Sequence, residues 1–268
     1  MVGIITVDQD KCINCGICSN VCPSCILEMN QSEGKKGPVC INDMSCMSCG
    51  HCVSVCPTGA LDNSRCPVPT SVLDKKSAYD FMRMRRSIRN FKDELVSEEK
   101  ITELLDIARY APTAANSQGL YYIVVSDREL IQKITDCVAD WMQEEIDRKA
   151  PQRRYYLKVL EVYRERKIDI IGRNAKQLIF ALARRLNMTG ISNCEQAWAY
   201  AELYAPTLGL GTTIMGFIQT CAQADYQPLR ELLNVPAKQV VVGTLLVGYP
   251  KYKYNRLPNR QHLKVEFR

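Results

Sequence analysis

Eight cysteines near the start of the chain are spaced for soft-metal chemistry. Cys12-x-x-Cys15-x-x-Cys18-x-x-x-Cys22-Pro23 returns as Cys46-x-x-Cys49-x-x-Cys52-x-x-x-Cys56-Pro57, with every cysteine displaced by 34 residues. Three thiolates on one tightly wound loop suit a compact iron–sulfur cube. Zinc also binds C-x-x-C pairs, but it takes four ligands per site and does not need three evenly spaced cysteines before a Cys-Pro. A dithiol redox pair at Cys15-Gly16-Ile17-Cys18 is disfavoured because the pair sits inside the larger run. The spacing therefore predicts two 4Fe–4S clusters and single-electron transfer.

This half of the chain resembles the bacterial two-cluster ferredoxins. The resemblance implies crossed ligation, in which the cysteine before each proline, at the start of a short helix, serves the other repeat's cluster. One cluster then takes Cys12, Cys15, Cys18 and Cys56; the other takes Cys46, Cys49, Cys52 and Cys22. Cys25 stands where the second repeat has Gly59 and is expected to be a small packed residue rather than a reactive thiol. Cys40 and Cys66 lack ligand spacing. Cys137, Cys194 and Cys221 lie in helical-looking segments, where buried free thiols are expected.

A second constellation follows. Arg85-Arg86-Ser87-Ile88-Arg89-Asn90-Phe91 brings three guanidiniums and a hydroxyl into five positions. Forked arginine donors match phosphate oxygens, although a basic surface would look the same. Asn116 and Gln118, in Ala111-Pro112-Thr113-Ala114-Ala115-Asn116-Ser117-Gln118, offer amides suited to the edge of a flat heterocycle. Gly209-Leu210-Gly211-Thr212-Thr213-Ile214-Met215-Gly216-Phe217 offers glycines that let backbone approach such a ring. Arg256 and Arg260 add cations in the tail.

In this order and spacing, residues 79–268 resemble the nitroreductase family of FMN flavoproteins. The resemblance implies an α+β fold with a central sheet flanked by helices, and an intertwined homodimer binding FMN at the subunit interface. It assigns Arg85, Arg86, Ser87 and Arg89 to the ribityl phosphate, with Arg256 or Arg260 as further candidates there. Asn116, with Gln118 nearby, would meet the ring system. Ile214, Met215 and Gly216 would lie near flavin N5, where Met215 replaces a frequently acidic residue. Gly119, Leu120 and Tyr121 follow Gln118 where many members have Pro and Trp. Residues 140–176 fall where the family's substrate-covering helices vary most.

The elements that must hold these residues are legible in outline. Ser97 caps a helix whose first turn is acidic and whose apolar face is Ile101, Leu104, Leu105 and Ala108. Leu120–Ser126 reads as a strand, 127–176 as largely helical, and 178–183 as a short apolar strand or helix. Cys194–Leu208 reads as a helix, and a strand runs from about Val240 to Val247. The domains are expected at 1–66 and 79–268, with 67–78 as an extended linker.

Bulk properties narrow the function. The chain has 268 residues, 14 cysteines and a formal charge of +6. Residues 1–68 carry −2 and the remainder +8, which fits anionic cofactors and a solvated surface better than nucleic acid. No apolar run is long enough to span a membrane, and the N-terminus has no basic n-region. A cytoplasmic location with reduced cysteines is expected. No G-x-G-x-x-G or P-loop motif is present, and with His51 and His262 as the only histidines, histidine-based acid–base chemistry is disfavoured. The resulting expectation is an FMN oxidoreductase, fed by ferredoxin through the clusters or by NAD(P)H directly, that reduces a nitroaromatic, quinone or similar planar acceptor. The other reading is an electron-transfer or redox-sensing module without a dedicated substrate.

Overall fold

A computed structural model of the protein describes residues 5–62 and 73–268. Cys66 and half of the expected linker, 67–72, lie outside the described residues. The chain divides into two compact units, 1–73 with 115–117, and 74–114 with 118–268.

The first unit is made of very short elements: β1 (Thr6–Val7), α1 (Ile17–Asn20), β2 (Leu27–Met29), β3 (Pro38–Cys40), α2 (His51–Ser54) and β4 (Leu61–Asp62). β1 pairs antiparallel with β4, and β2 with β3. The repeat seen in the sequence is also a repeat of backbone shape. Left-handed residues recur at the same offset: Asn14 and Ser48, Gly16 (φ 75°) and Gly50 (φ 74°), Cys25 (φ 51°) and Gly59 (φ 63°). The two short helices precede the Cys-Pro pairs rather than starting at them. Pro23 and Pro57 disfavour helical backbone at Cys22 and Cys56, and the chain turns there instead, with Cys25 N–H donating to the Cys22 carbonyl and Gly59 N–H to that of Cys56. Cys25 is exposed rather than packed.

The second unit opens with α3 (Lys75–Met84). This helix starts inside the stretch expected as linker because Asp74 caps it, accepting from the N–H groups of Lys76 and Ser77. Then follow α4 (Glu98–Ala108), β5 (Tyr121–Val125), α5 (Arg128–Asp147), α6 (Arg153–Leu160), a π-helical turn at Glu161–Glu165, β6 (Gln177–Arg184) and α7 (Gly190–Tyr204). The chain closes with β7 (Gly211–Ile214), α8 (Gly216–Gln223), α9 (Gln227–Leu232) and β8 (Gln239–Gly248). Ser97 caps α4 as expected, accepting from Lys100 N–H.

The four long strands form one antiparallel sheet in the order β5-β6-β8-β7. Strand β6 settles the ambiguity at 178–183. Leu178, Phe180 and Leu182 face a core built with α5, α6, α8 and α9, while Ile179, Ala181 and Ala183 face a second core built with α4 and α7. A strand buried on both faces shows no polar alternation, which is why its periodicity was uninformative. Gly243 on β8 lets α7 approach closely: a Cβ there would sit 2.6 Å from Trp198 Nε1. The result is an α+β fold with helices on both faces of a central sheet. Among the described residues, no helix is long and apolar enough to cross a membrane.

Candidate functional site

In the first unit the eight motif cysteines sort into two cavities. Cys12, Cys15, Cys18 and Cys56 line one, with Ala60 and Leu61 in its wall. Cys22, Cys46, Cys49 and Cys52 line the other, with Ile26 and Leu27. Each thus draws three cysteines from one repeat and the Cys-Pro cysteine from the other. Among the described residues no three potential ligands close on the point that a single metal ion would require; the sulfurs stand around the cavity walls. The sulfurs also receive backbone hydrogen bonds, from Asn14 N–H to Cys12 Sγ (3.4 Å) and from Ala60 N–H to Cys56 Sγ (3.2 Å). Such bonds tune cluster potentials. Burial works to raise the Cys56 thiol, but the Leu61, Thr58 and Ala60 amides and the Thr58 hydroxyl hold it below its ordinary value. Burial pushes Cys18 and Cys52 up. His51 begins α2, exposed, beside the second cavity.

In the second unit the arginine segment is fixed by strand-like pairing. Ser87 bridges in parallel to Thr212 of β7, and Ile88 N–H donates to the Thr212 carbonyl at 2.8 Å. On the far side, Lys92 N–H donates to the Tyr249 carbonyl (2.8 Å) and Lys251 N–H to that of Asn90 (2.9 Å). Gly211 was expected to let a flat ligand approach; it admits Ile88 instead, since a Cβ there would lie 2.6 Å from Ile88 Cγ1. Beside this ribbon opens a cleft of about 570 Å³, lined by Arg86, Lys92, Glu202, Lys251, Lys253 and Arg256 among others. Arg86 Nη2 donates to the Arg256 carbonyl at 2.7 Å, tying the tail to the segment. Arg260 is exposed, and its guanidinium bonds the adjacent Asn259 carbonyl.

Glu202, Lys92, Lys251 and Lys253 were not singled out in the sequence. Glu202 is 8% exposed and pairs with Arg85 at 3.4 Å, while its Oε1 has no partner among the described residues. Burial pushes its carboxyl up, against the pull of Arg85 and Arg89. An orphaned buried acceptor on a cationic cleft fits a ligand that combines an anion with hydroxyl donors. Sitting on α7 among apolar residues, Glu202 gave no motif signal; a charge in an otherwise apolar helical stripe was the one clue available.

The remaining expected residues lie on two other elements. Ile214 ends β7, and buried Met215 holds the N-cap position of α8, its carbonyl accepting from Thr244 Oγ1 (3.3 Å) and Gln219 N–H (2.9 Å). Gly216 opens α8, where backbone N–H groups have no helical acceptor, and a Cβ on it would meet nothing within 4 Å. Ala115, Asn116 and Gln118 all adopt left-handed backbone, which is strained for non-glycine residues. Gln118 N–H is held by Thr113 Oγ1 at 3.0 Å. The division of the chain groups Asn116 with the first unit.

A nitroreductase family model matches residues 82–249, more than half of the chain. The chain belongs to the nitroreductase family. A 4Fe–4S dicluster domain model matches residues 11–60 of this nitroreductase, so the expected fusion is present. An FMN reductase (NAD(P)H) of Bacillus subtilis is 26% identical over 173 residues, covering 65% of this chain and 66% of that protein. An Archaeoglobus fulgidus protein provisionally named NADH dehydrogenase/NAD(P)H nitroreductase is 28% identical over 171 residues, 62% of this chain and 82% of the relative. The fold is also that of a Bacteroides fragilis nitroreductase with bound FMN, at TM-score 0.57 and 14% identity over 72% of this chain and 96% of that one. These findings make the nitroreductase an oxidoreductase of a flavoprotein family that carries a ferredoxin domain.

Proposed function

We propose that this nitroreductase is a homodimeric FMN enzyme that takes single electrons in through two 4Fe–4S clusters and reduces a planar acceptor of the nitroaromatic or quinone type. The sorting of eight cysteines into two crossed sets, in one chain with an arginine-lined cleft, carries the reading. FMN, when bound, exchanges electrons singly or in pairs, whereas a 4Fe–4S cluster exchanges them singly. Two electrons and one proton from solvent make up each hydride equivalent delivered.

The chain's own residues supply binding and electrostatics. Cys12, Cys15, Cys18 and Cys56 hold one cluster, and Cys22, Cys46, Cys49 and Cys52 the other. Arg85, Arg86, Ser87, Arg89 and Arg256 bind the phosphate, with forked charge-assisted bonds. Asn116 and Gln118 address the ring edge. Ile214 ends the strand that delivers Met215 and Gly216, whose backbone N–H groups at the start of α8 favour developing negative charge.

Anaerobically purified protein should show broad iron–sulfur absorbance and release FMN on denaturation; absence of releasable FMN would sink the enzyme reading. Turnover with reduced ferredoxin should then collapse in Cys56→Ser while turnover with NAD(P)H persists. Equal ferredoxin-driven rates in both proteins would remove the role of the clusters as electron input. Slow, indiscriminate reduction of every acceptor offered would favour an electron-transfer module instead.

A further inference from the structure

The two cysteine loops share one backbone shape, with left-handed residues at Asn14 and Ser48 and at Gly16 and Gly50, yet they differ in burial. Ile13, Asn14 and Cys15 are exposed, and Ile13 and Ile17, 64% and 37% exposed, put apolar side chains on the rim of the first cavity. Their counterparts Met47, Ser48 and Cys49 are half-buried, and Gly50 is buried where Gly16 is only half-buried. Loops of equal shape acquire unequal burial from what packs against them.

Asn116 packs against the second loop. Its Nδ2 donates to the Met47 carbonyl at 2.9 Å, and Met47 directly follows Cys46 in the wall of the second cavity. Ala115–Ser117 belong with the first unit, although the chain on either side of them belongs with the second. This three-residue tongue is tied at both ends. Ala114 N–H donates to Oδ1 of the buried Asn193 on α7 (3.3 Å), and Gln118 N–H to Thr113 Oγ1 (3.0 Å). Left-handed backbone at Ala115 (φ 52°), Asn116 (φ 51°) and Gln118 (φ 46°) persists because such bonds over-determine it. Ala115 and Ser117 stand exposed while Asn116 is half-buried, so the tongue turns that one side chain inward.

A primary amide has two N–H donors and a carbonyl acceptor. Met47 takes one donor, which leaves the rest of the amide for the ring edge assigned to Asn116 above. Electrons tunnel more readily along covalent and hydrogen bonds than across a gap of the same length. From Cys46 the bonded path runs through one residue of backbone to the Met47 carbonyl, then across one hydrogen bond to the Asn116 amide.

We propose that the two clusters work in a fixed order: electrons enter at the exposed first cluster, and the second, held by Cys22, Cys46, Cys49 and Cys52, passes them to FMN with Asn116 as the bridge. Each transfer oxidises the second cluster by one electron, and the first cluster restores it from an external one-electron donor such as reduced ferredoxin. Two transfers and one proton from solvent reduce one FMN. The inference rests on the reading that FMN meets Asn116 and draws on the clusters, and it adds their order.

Holoprotein would be mixed anaerobically with reduced ferredoxin, with flavin bleaching followed by stopped flow and cluster reduction by freeze-quench EPR. Asn116→Asp keeps the side-chain shape and loses the donor. Its flavin should bleach several-fold more slowly, and reduced-cluster signal should build up ahead of it, with cluster reduction itself at the wild-type rate. Cys15→Ser and Cys49→Ser, at equivalent positions in the two repeats, test the order without touching Asn116, and the EPR signal of the surviving cluster reports that the unit has folded. Cys49→Ser should reduce its first cluster and leave FMN oxidised; Cys15→Ser should take up electrons from ferredoxin slowly. Wild-type bleaching in Asn116→Asp, or ready FMN reduction in Cys49→Ser, would overturn the proposal. If Asn116→Asp fails to hold FMN, the Cys49→Ser result decides. A wild type whose clusters reduce while its FMN stays oxidised would sink the electron input of the proposed function, and this order with it; a failure confined to the variants sinks the order alone.

Discussion

The two units reach order by opposite means. The first has strands of two or three residues, helices of four, and few buried apolar side chains beyond Ile26, Leu27, Ala60 and Leu61. Its eight motif cysteines line two cavities, where a larger domain would place leucine. The second buries two continuous cores against one sheet, and the arginines that line its cleft lie outside them. In one unit the site is the core; in the other the core exists without the site. Small domains often need a metal or disulfide in place of apolar area, and the contrast makes the two responses to damage separable.

The widest test of that contrast is Cys56→Ser. It should remove about half of the iron and take the cluster bounded by Cys12, Cys15 and Cys18, in the other repeat, while FMN content is retained. Iron analysis with flavin absorbance checks this, and loss of only the second repeat's cluster would break the crossed arrangement. Phe180→Ala is the converse. Phe180 is wholly buried on β6, so the second unit should lose about 3–5 kcal/mol in denaturant unfolding, with cluster absorbance little changed in the folded protein.

A smaller effect tests the rim. A carboxyl whose folded-state value lies above its unfolded value contributes stability at low pH that is lost as pH rises through the raised value. Burial raises Glu202 in this way. The thermal midpoint of the second unit should therefore fall as pH rises from mildly acidic to neutral, and Glu202→Gln should flatten that slope by less than the Phe180 change costs. Smallest is Cys25→Gly. Relief of left-handed strain should stabilise the first unit by up to about 1 kcal/mol, read as slower cluster loss on warming; faster loss would show that the thiol has a role of its own.

The same contrast explains what was legible in the sequence. The cluster motifs are set by local spacing, so the eight cysteines stood out in the chain alone, while their crossing came from the resemblance to two-cluster ferredoxins; Ser97 was likewise legible as a cap. The arginine segment was visible because its charges are consecutive. Glu202 was not, since it becomes unusual only through burial supplied by distant residues. Asp74 was overlooked because prolines and small polar residues upstream read as extended chain. Strand β7 was hidden by Gly211, whose missing side chain leaves room for Ile88. The absence of alternation on β6 follows from two cores, a property of the whole fold.

The pairing of Ser87 with Thr212 and of Phe91 with Pro250 has a consequence for how this nitroreductase can vary by descent. A ribbon clamped on both sides has a reading frame: one inserted or deleted residue between Arg85 and Phe91 would exchange its two faces. Substitutions in that stretch are graded changes, but indels there are all-or-none. The exposed chain beyond Leu257, which has no such clamp among the described residues, can lengthen or shorten without that penalty, so lineages of this protein should differ in tail length long before they differ in the length of the arginine ribbon.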